Sequence, residues 1–153
     1  MNIELADIEA QLQFGAQLAA LLPPTCVLYL EGDLGTGKTT LARSILRQLG
    51  HSGAVRSPTY TLLEPYQLAD RVAYHLDLYR LTDAEELEYL GLRDLLGENA
   101  LWMIEWAERG VGHVPPADIR IQINHLPVGR HLTLRGMTPS GEVLVATLRD
   151  VGK

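Results

Sequence analysis

Cysteine is nearly absent from this chain: Cys26 stands alone among 153 residues. A lone thiol cannot close an intramolecular disulfide, which excludes a disulfide-stapled scaffold and suits a reducing cytosol. Lysine is almost as scarce, with only Lys38 and Lys153, and the formal charge is −6. Binding to a nucleic-acid backbone depends on cationic patches that release counterions. An independent grip on nucleic acid is therefore not expected, and any nucleic acid involved would be held by a partner protein. Long apolar runs are missing too. The longest are about five to eight residues, well short of the roughly 20 that span a bilayer. Glu4, Asp7 and Glu9 occupy the N-terminal stretch where a secretory leader carries basic and then apolar residues. What remains is ordinary: 46% apolar and 21% charged residues, a composition that predicts one cytoplasmic globular domain over residues 1–153 with a core of its own.

The informative segment is Gly32-Asp33-Leu34-Gly35-Thr36-Gly37-Lys38-Thr39, which fits G-x-x-x-x-G-K-[ST] without a mismatch. Cys26-Val27-Leu28-Tyr29-Leu30 leads in as a strand of about 25–31, and a helix-period segment of about 38–49 leads out. Strand, glycine loop and helix give a P-loop its working context. The glycines let backbone N–H groups turn toward phosphate oxygens, and the helix points its positive end at them. The loop amides are the expected contacts of a nucleoside triphosphate, with Lys38 reaching the β- and γ-phosphates and the Thr39 hydroxyl on Mg2+.

Elsewhere the pattern alternates between helix and strand. The 3–4 spacing of Leu5, Ile8, Leu12, Gly15, Ala19 and Leu22 predicts an amphipathic helix stopped by Pro23-Pro24. Gly50 is a C-terminal stop for the next helix. Tyr60–Gln67 and Val72–Tyr79 read as an antiparallel hairpin. Thr82-Asp83-Ala84-Glu85 reads as a capping box opening a short acidic helix to about Leu90, with Glu85, Glu86 and Glu88 on a solvated face. Leu101–Ile104 reads as a buried strand ending in Glu105. Ile119, Ile121 and Ile123 alternate with polar residues, and 131–135 and 142–148 read as two more strands. The expected fold is α/β: a P-loop NTPase domain with one mixed sheet, parallel at its core, with antiparallel hairpins and flanking helices.

A P-loop needs a second anchor for magnesium, usually a carboxylate ending a neighbouring strand. Asp77 and Glu105 both qualify. One would hold the metal, directly or through water, and the other would do likewise or orient the attacking water. Strand alternation puts His75 on the Asp77 face, as a candidate supporting residue. Thr59 lies where nucleotide switches carry a sensing hydroxyl. Arg56, Arg80 and Arg130 are candidates for charge stabilisation or stacking, and Trp106 for covering the site.

Taken together, the P-loop block with Ser57-Pro58-Thr59-Tyr60, His75-Leu76-Asp77-Leu78-Tyr79-Arg80 and Glu105-Trp106 resembles the bacterial TsaE (YjeE) family of small ATPases, over roughly residues 5–148. The resemblance implies an accessory role in forming threonylcarbamoyladenosine beside the tRNA anticodon. Such a component binds a TsaB–TsaD pair and hydrolyses ATP to keep that pair turning over. It also implies that Gly35, Thr36, Gly37, Lys38, Thr39 and Thr40 bind the ATP phosphates, that Thr39 and Glu105 hold magnesium, that Asp77 is the Walker B position, and that Arg130 is a nucleotide contact. Two rival readings share the P-loop: a small-molecule kinase, and a nucleotide-gated adaptor in which hydrolysis is dispensable.

Overall fold

The computed structural model describes residues 1–151; Lys153 and the end of the expected 1–153 domain lie outside the described residues. Seven strands form one sheet: β1 (Asn2–Leu5), β2 (Cys26–Glu31), β3 (Leu63–Gln67), β4 (Val72–Asp77), β5 (Ala100–Glu105), β6 (Ile119–His125) and β7 (Arg130–Gly136). Its helices are α1 (Ile8–Leu21), α2 (Lys38–Gln48), α3 (Glu86–Tyr89), α4 (Leu92–Leu95) and α5 (Pro139–Val151), with a 3-10 turn over Ala107–Gly110. The spatial order is β1-β7-β6-β2-β5-β4-β3. β6, β2, β5 and β4 run parallel, while β7, β1 and β3 are antiparallel to their neighbours. The expected mixed sheet is therefore present, parallel at its centre and antiparallel at both margins.

Cys26, Leu28 and Leu30 on β2 point to the face carrying α1 and α2, where they meet Phe14, Leu18, Leu41 and Ile45. The opposite face is covered over β4 and β5 by Leu87 of α3, Leu92 of α4 and Ala107. Apolar residues therefore clothe the central strands on both sides. The carboxyl ends of β2, β5 and β4 come together, with Leu30 paired to Glu105 and Glu105 to Asp77. That edge is where open α/β sheets gather ligands.

Several local expectations are corrected. The helix expected from Leu5 to Leu22 is present but starts later, and a strand not expected from sequence precedes it. Asn2–Leu5 is a strand on β7, and α1 starts only after Asp7, whose carboxylate caps Ala10 N–H at 2.8 Å. α1 buries only part of the expected stripe, Gly15 and Ala19 with Leu22 just beyond it. Gln11, Phe14, Gly15, Leu18 and Ala19 face inward, whereas Ile8 and Leu12 are exposed. β3 begins at Leu63 rather than Tyr60, because Leu62 adopts a left-handed backbone (φ 67°) that ends extended pairing. β4 stops at Asp77. The capping box is shifted by one residue: the Glu86 carboxylate accepts from Thr82 and Asp83 N–H at 3.2 Å each, and Asp83 accepts from Glu85 N–H at 3.0 Å. The largest correction is 142–148, which is part of α5 and not a strand. Thr138 caps this helix by accepting from Gly141 N–H at 3.1 Å, Pro139 takes the first helical position, and Gly141, Leu144, Val145 and Leu148 bury one face.

Candidate active site

The P-loop joins β2 to α2 through backbone that only glycine takes easily. Gly35 has φ 79° and Gly37, immediately before α2, has φ 106°. A side chain at Gly37 would also collide with Gln11, whose buried amide donates to the Gly37 carbonyl at 2.9 Å. Gln11 thus fastens α1 to the back of the loop. Arg130 Nε does the same from β7, donating to the Thr36 carbonyl at 3.0 Å. The Thr36 hydroxyl donates to the Asp33 carbonyl at 2.9 Å and is buried.

Lys38 donates to the carbonyls of Gly32 and of Asp33, the latter at 3.1 Å. Its ammonium lies 4.4 Å from the centre of the Trp106 ring, a cation–π contact. Burial lowers the Lys38 pKa, and the carboxylates of Glu105, Asp77, Asp33 and Glu108 oppose that shift. Trp106 reaches this position because the chain turns at the end of β5 into a left-handed conformation, φ 59° and ψ 42°. Tyr79 and Arg109 pack against the same ring at 5.1 and 5.7 Å.

Glu105 and Asp77 stand side by side. Glu105 Oε2 accepts from the Thr39 hydroxyl at 3.1 Å and lies 2.6 Å from His75 Nε2. One Asp77 oxygen accepts from Tyr79 N–H at 3.0 Å. Burial raises the Asp77 pKa, and Glu105 adds to the rise; the Tyr79 N–H, His75 and Lys38 pull the other way. Leu34, Gly35, Gly37, Lys38, Thr39, Thr40, Thr59, Asp77, Glu105 and Trp106 together line a cleft of about 300 Å³.

Most residues singled out from sequence therefore meet in one cleft. Thr36 and Arg130 brace the loop from behind. Arg56 is exposed, and Arg80 stacks on Tyr60 at 4.6 Å; neither arginine lines the cleft. Gln11 was missed. It sits in the first turn of α1, a helix that also carries Glu9, Gln13 and Gln17, so periodicity alone reads it as one more surface polar residue.

Among the described residues, no group of three or more His, Cys, Asp and Glu is arranged to hold a metal by itself. One hydroxyl beside one or two carboxylates is instead the donor set of an ion that completes its shell with water and phosphate oxygens, as Mg2+ does. The residues present fit that ion.

A glycine loop between a parallel strand and a helix, facing two strand-end carboxylates, defines a single-domain P-loop α/β protein. The model of the family "Threonylcarbamoyl adenosine biosynthesis protein TsaE" matches residues 5–132. The chain is 42% identical over 151 residues to the tRNA threonylcarbamoyladenosine biosynthesis protein TsaE of Haemophilus influenzae, covering 95% of this chain and 96% of that one. It is 38% identical over 105 residues to the Bacillus subtilis protein of the same name, covering 69% and 65%. The crystal structure of Bacillus subtilis YdiB superposes with a TM-score of 0.84 at 26% identity, over 100% of this chain and 96% of that one. The chain belongs to the TsaE family, which serves tRNA threonylcarbamoyladenosine biosynthesis.

Proposed function

We propose that this protein is a cytoplasmic, magnesium-dependent ATPase that supports tRNA threonylcarbamoyladenosine formation through a TsaB–TsaD-type pair. One observation carries the reading: the Thr39 hydroxyl, at the start of the P-loop helix, lies 3.1 Å from Glu105 at the end of the neighbouring parallel strand. In this reading the loop amides and Lys38 bind the ATP phosphates, and Thr39 and Glu105 hold Mg2+. Bound there, the ion would neutralise charge on the β- and γ-phosphate oxygens. Asp77, beside Glu105 and held short of full ionic comfort by burial, suits the remaining task of receiving a proton from water. Water oxygen bonds to the γ-phosphorus as the bond to the β-phosphate oxygen breaks. ADP and phosphate leave, and the proton passes to Asp77 and then to solvent. Lys38 stabilises the negative charge that moves onto the leaving oxygen.

The test is phosphate release by the purified protein, alone and with a TsaB–TsaD pair. Weak turnover that rises with the pair is expected, and Lys38→Ala should lower it at least about 100-fold, as expected when a charge-stabilising donor is lost. Turnover indifferent to the pair would remove the pathway assignment. Undiminished turnover by the Lys38→Ala protein would remove the site assignment.

A further inference from the structure

His75 is wholly buried on β4, on the face that packs against α2. Its neighbours on that face, Ala73 and Met103, are apolar, and an apolar side chain would pack there without the cost of burying an imidazole. The imidazole carries one contact that such a residue could not: Nε2 is 2.6 Å from Glu105 Oε2. The other ring nitrogen, Nδ1, is buried with no hydrogen-bond partner among the described residues. An unpaired buried N–H costs more than an unpaired acceptor lone pair beside apolar atoms, so the proton belongs on Nε2, pointing at the carboxylate. Glu105 is itself 3% exposed, and its Oε2 has two partners, His75 from within the sheet and Thr39 from the cleft.

We propose that His75 is a positioning residue: its Nε2–H fixes the rotation of the Glu105 carboxylate so that the group meets a divalent cation together with the Thr39 hydroxyl. The proposal rests on the reading of Glu105 as a magnesium-holding residue. Without the His75 donor, Oε2 keeps a single partner and the carboxylate can turn about its terminal bond. The ion then has to order its own ligand. Donors behind a metal-holding carboxylate typically account for 10- to 100-fold in affinity or activity.

Calorimetry with a non-hydrolysable ATP analogue, titrated across Mg2+ concentrations, separates this from a packing role. In His75→Leu the Mg2+ concentration for half-maximal analogue binding should rise roughly 10-fold, with the Mg2+-free analogue affinity unchanged. His75→Gln places an amide N–H as many bonds from Cα as Nε2, and should return the Mg2+ dependence to within about twofold of the parent. His75→Asn, whose amide stops at the Nδ1 position, should not. The Gln and Asn pair carries the test even if the leucine protein does not fold. A folded His75→Leu protein with the parental Mg2+ dependence would overturn the proposal, as would a glutamine variant no better than the asparagine one. Glu105→Gln reports separately on the underlying reading. If it keeps the parental Mg2+ dependence, Glu105 holds no metal, and the site assignment fails regardless of His75.

Discussion

At the end of β5 two adjacent residues are each held at a cost. Glu105 is a buried carboxylate, and Trp106 is a bulky side chain in the left-handed region, a conformation worth roughly 1–3 kcal/mol of strain. Asp77 adds a third cost. Because burial raises its pKa above the unfolded value, the fold prefers the protonated form. The stability it contributes is complete below the ordinary aspartate range and is lost as pH rises through the elevated value, so at neutral pH the ionised group weighs against folding. Asp77→Asn keeps an acceptor for Tyr79 N–H and removes the charge. It should raise the melting temperature by a few degrees at pH 7–8, with the gain vanishing as pH falls below about 4, the ordinary aspartate pKa, while ATP turnover drops. Thermal melts of both proteins across pH decide this, and a gain that persists unchanged into acid would refute it. Lys38, Thr39, Asp77 and Glu105 were legible as site candidates because each ends a local pattern, either the glycine motif or an apolar run. Gln11 was not, since its contact with Gly37 depends on how α1 is rotated about its axis, and the sequence carries no direct sign of that rotation.

Elements were legible in proportion to how local their causes are. β2, α2 and β5 follow from apolar runs and glycine stops. β1 is only four residues long and exists because β7, more than a hundred residues away, offers it an edge. The α1 face is set by close approach to α2: a Cβ on Gly15 would lie 1.7 Å from Ser44 Oγ. α5 was misread because Val143, Val145 and Thr147 raise strand propensity, whereas its burial has the 3–4 period of a helix. A polar clamp secures the start of that helix. Asp118 accepts from Val27 N–H and from the Thr138 hydroxyl, both at 2.8 Å, and its own carbonyl would lie 1.9 Å from a Cβ on Gly141. In an open helix Gly→Ala stabilises by about 1 kcal/mol. Here backbone meets backbone, so Gly141→Ala should instead destabilise by about 2 kcal/mol, as overpacked sites do, lowering the melting temperature by roughly 4–8 °C. Val143→Ala, on the exposed side of the same helix, should stay within about 0.5 kcal/mol. Equal effects from the two substitutions would contradict this account of α5 docking.

The whole molecule is lopsided in cover and in charge. Helices α1, α2 and α5 blanket one face of the sheet, while on the other face β6 and β7 leave Arg120, Gln122, Thr133 and Arg135 at least partly open to water. Arginines on an uncovered sheet face could suggest a nucleic-acid platform, but the engagement of Arg120 argues otherwise. Arg120 is engaged by both oxygens of Glu31 at 3.0 and 2.6 Å. Elsewhere, Arg71 caps the Leu22 and Pro23 carbonyls beside Asp70, Arg93 pairs with Glu88, and Arg130 holds the P-loop. With a net charge of −6 and Arg71, Arg93, Arg120 and Arg130 already engaged within the protein, the chain is poorly equipped to displace counterions from a phosphate backbone. The isolated protein should therefore fail to retain tRNA in filter-binding assays at 50 mM salt and micromolar concentration, with no gain when salt is lowered further. With a TsaB–TsaD pair present, it should be recovered with tRNA only through that pair. Direct retention with an affinity that falls steeply as salt rises would reveal a phosphate-binding face, and the role proposed for this chain would then have to include holding the RNA.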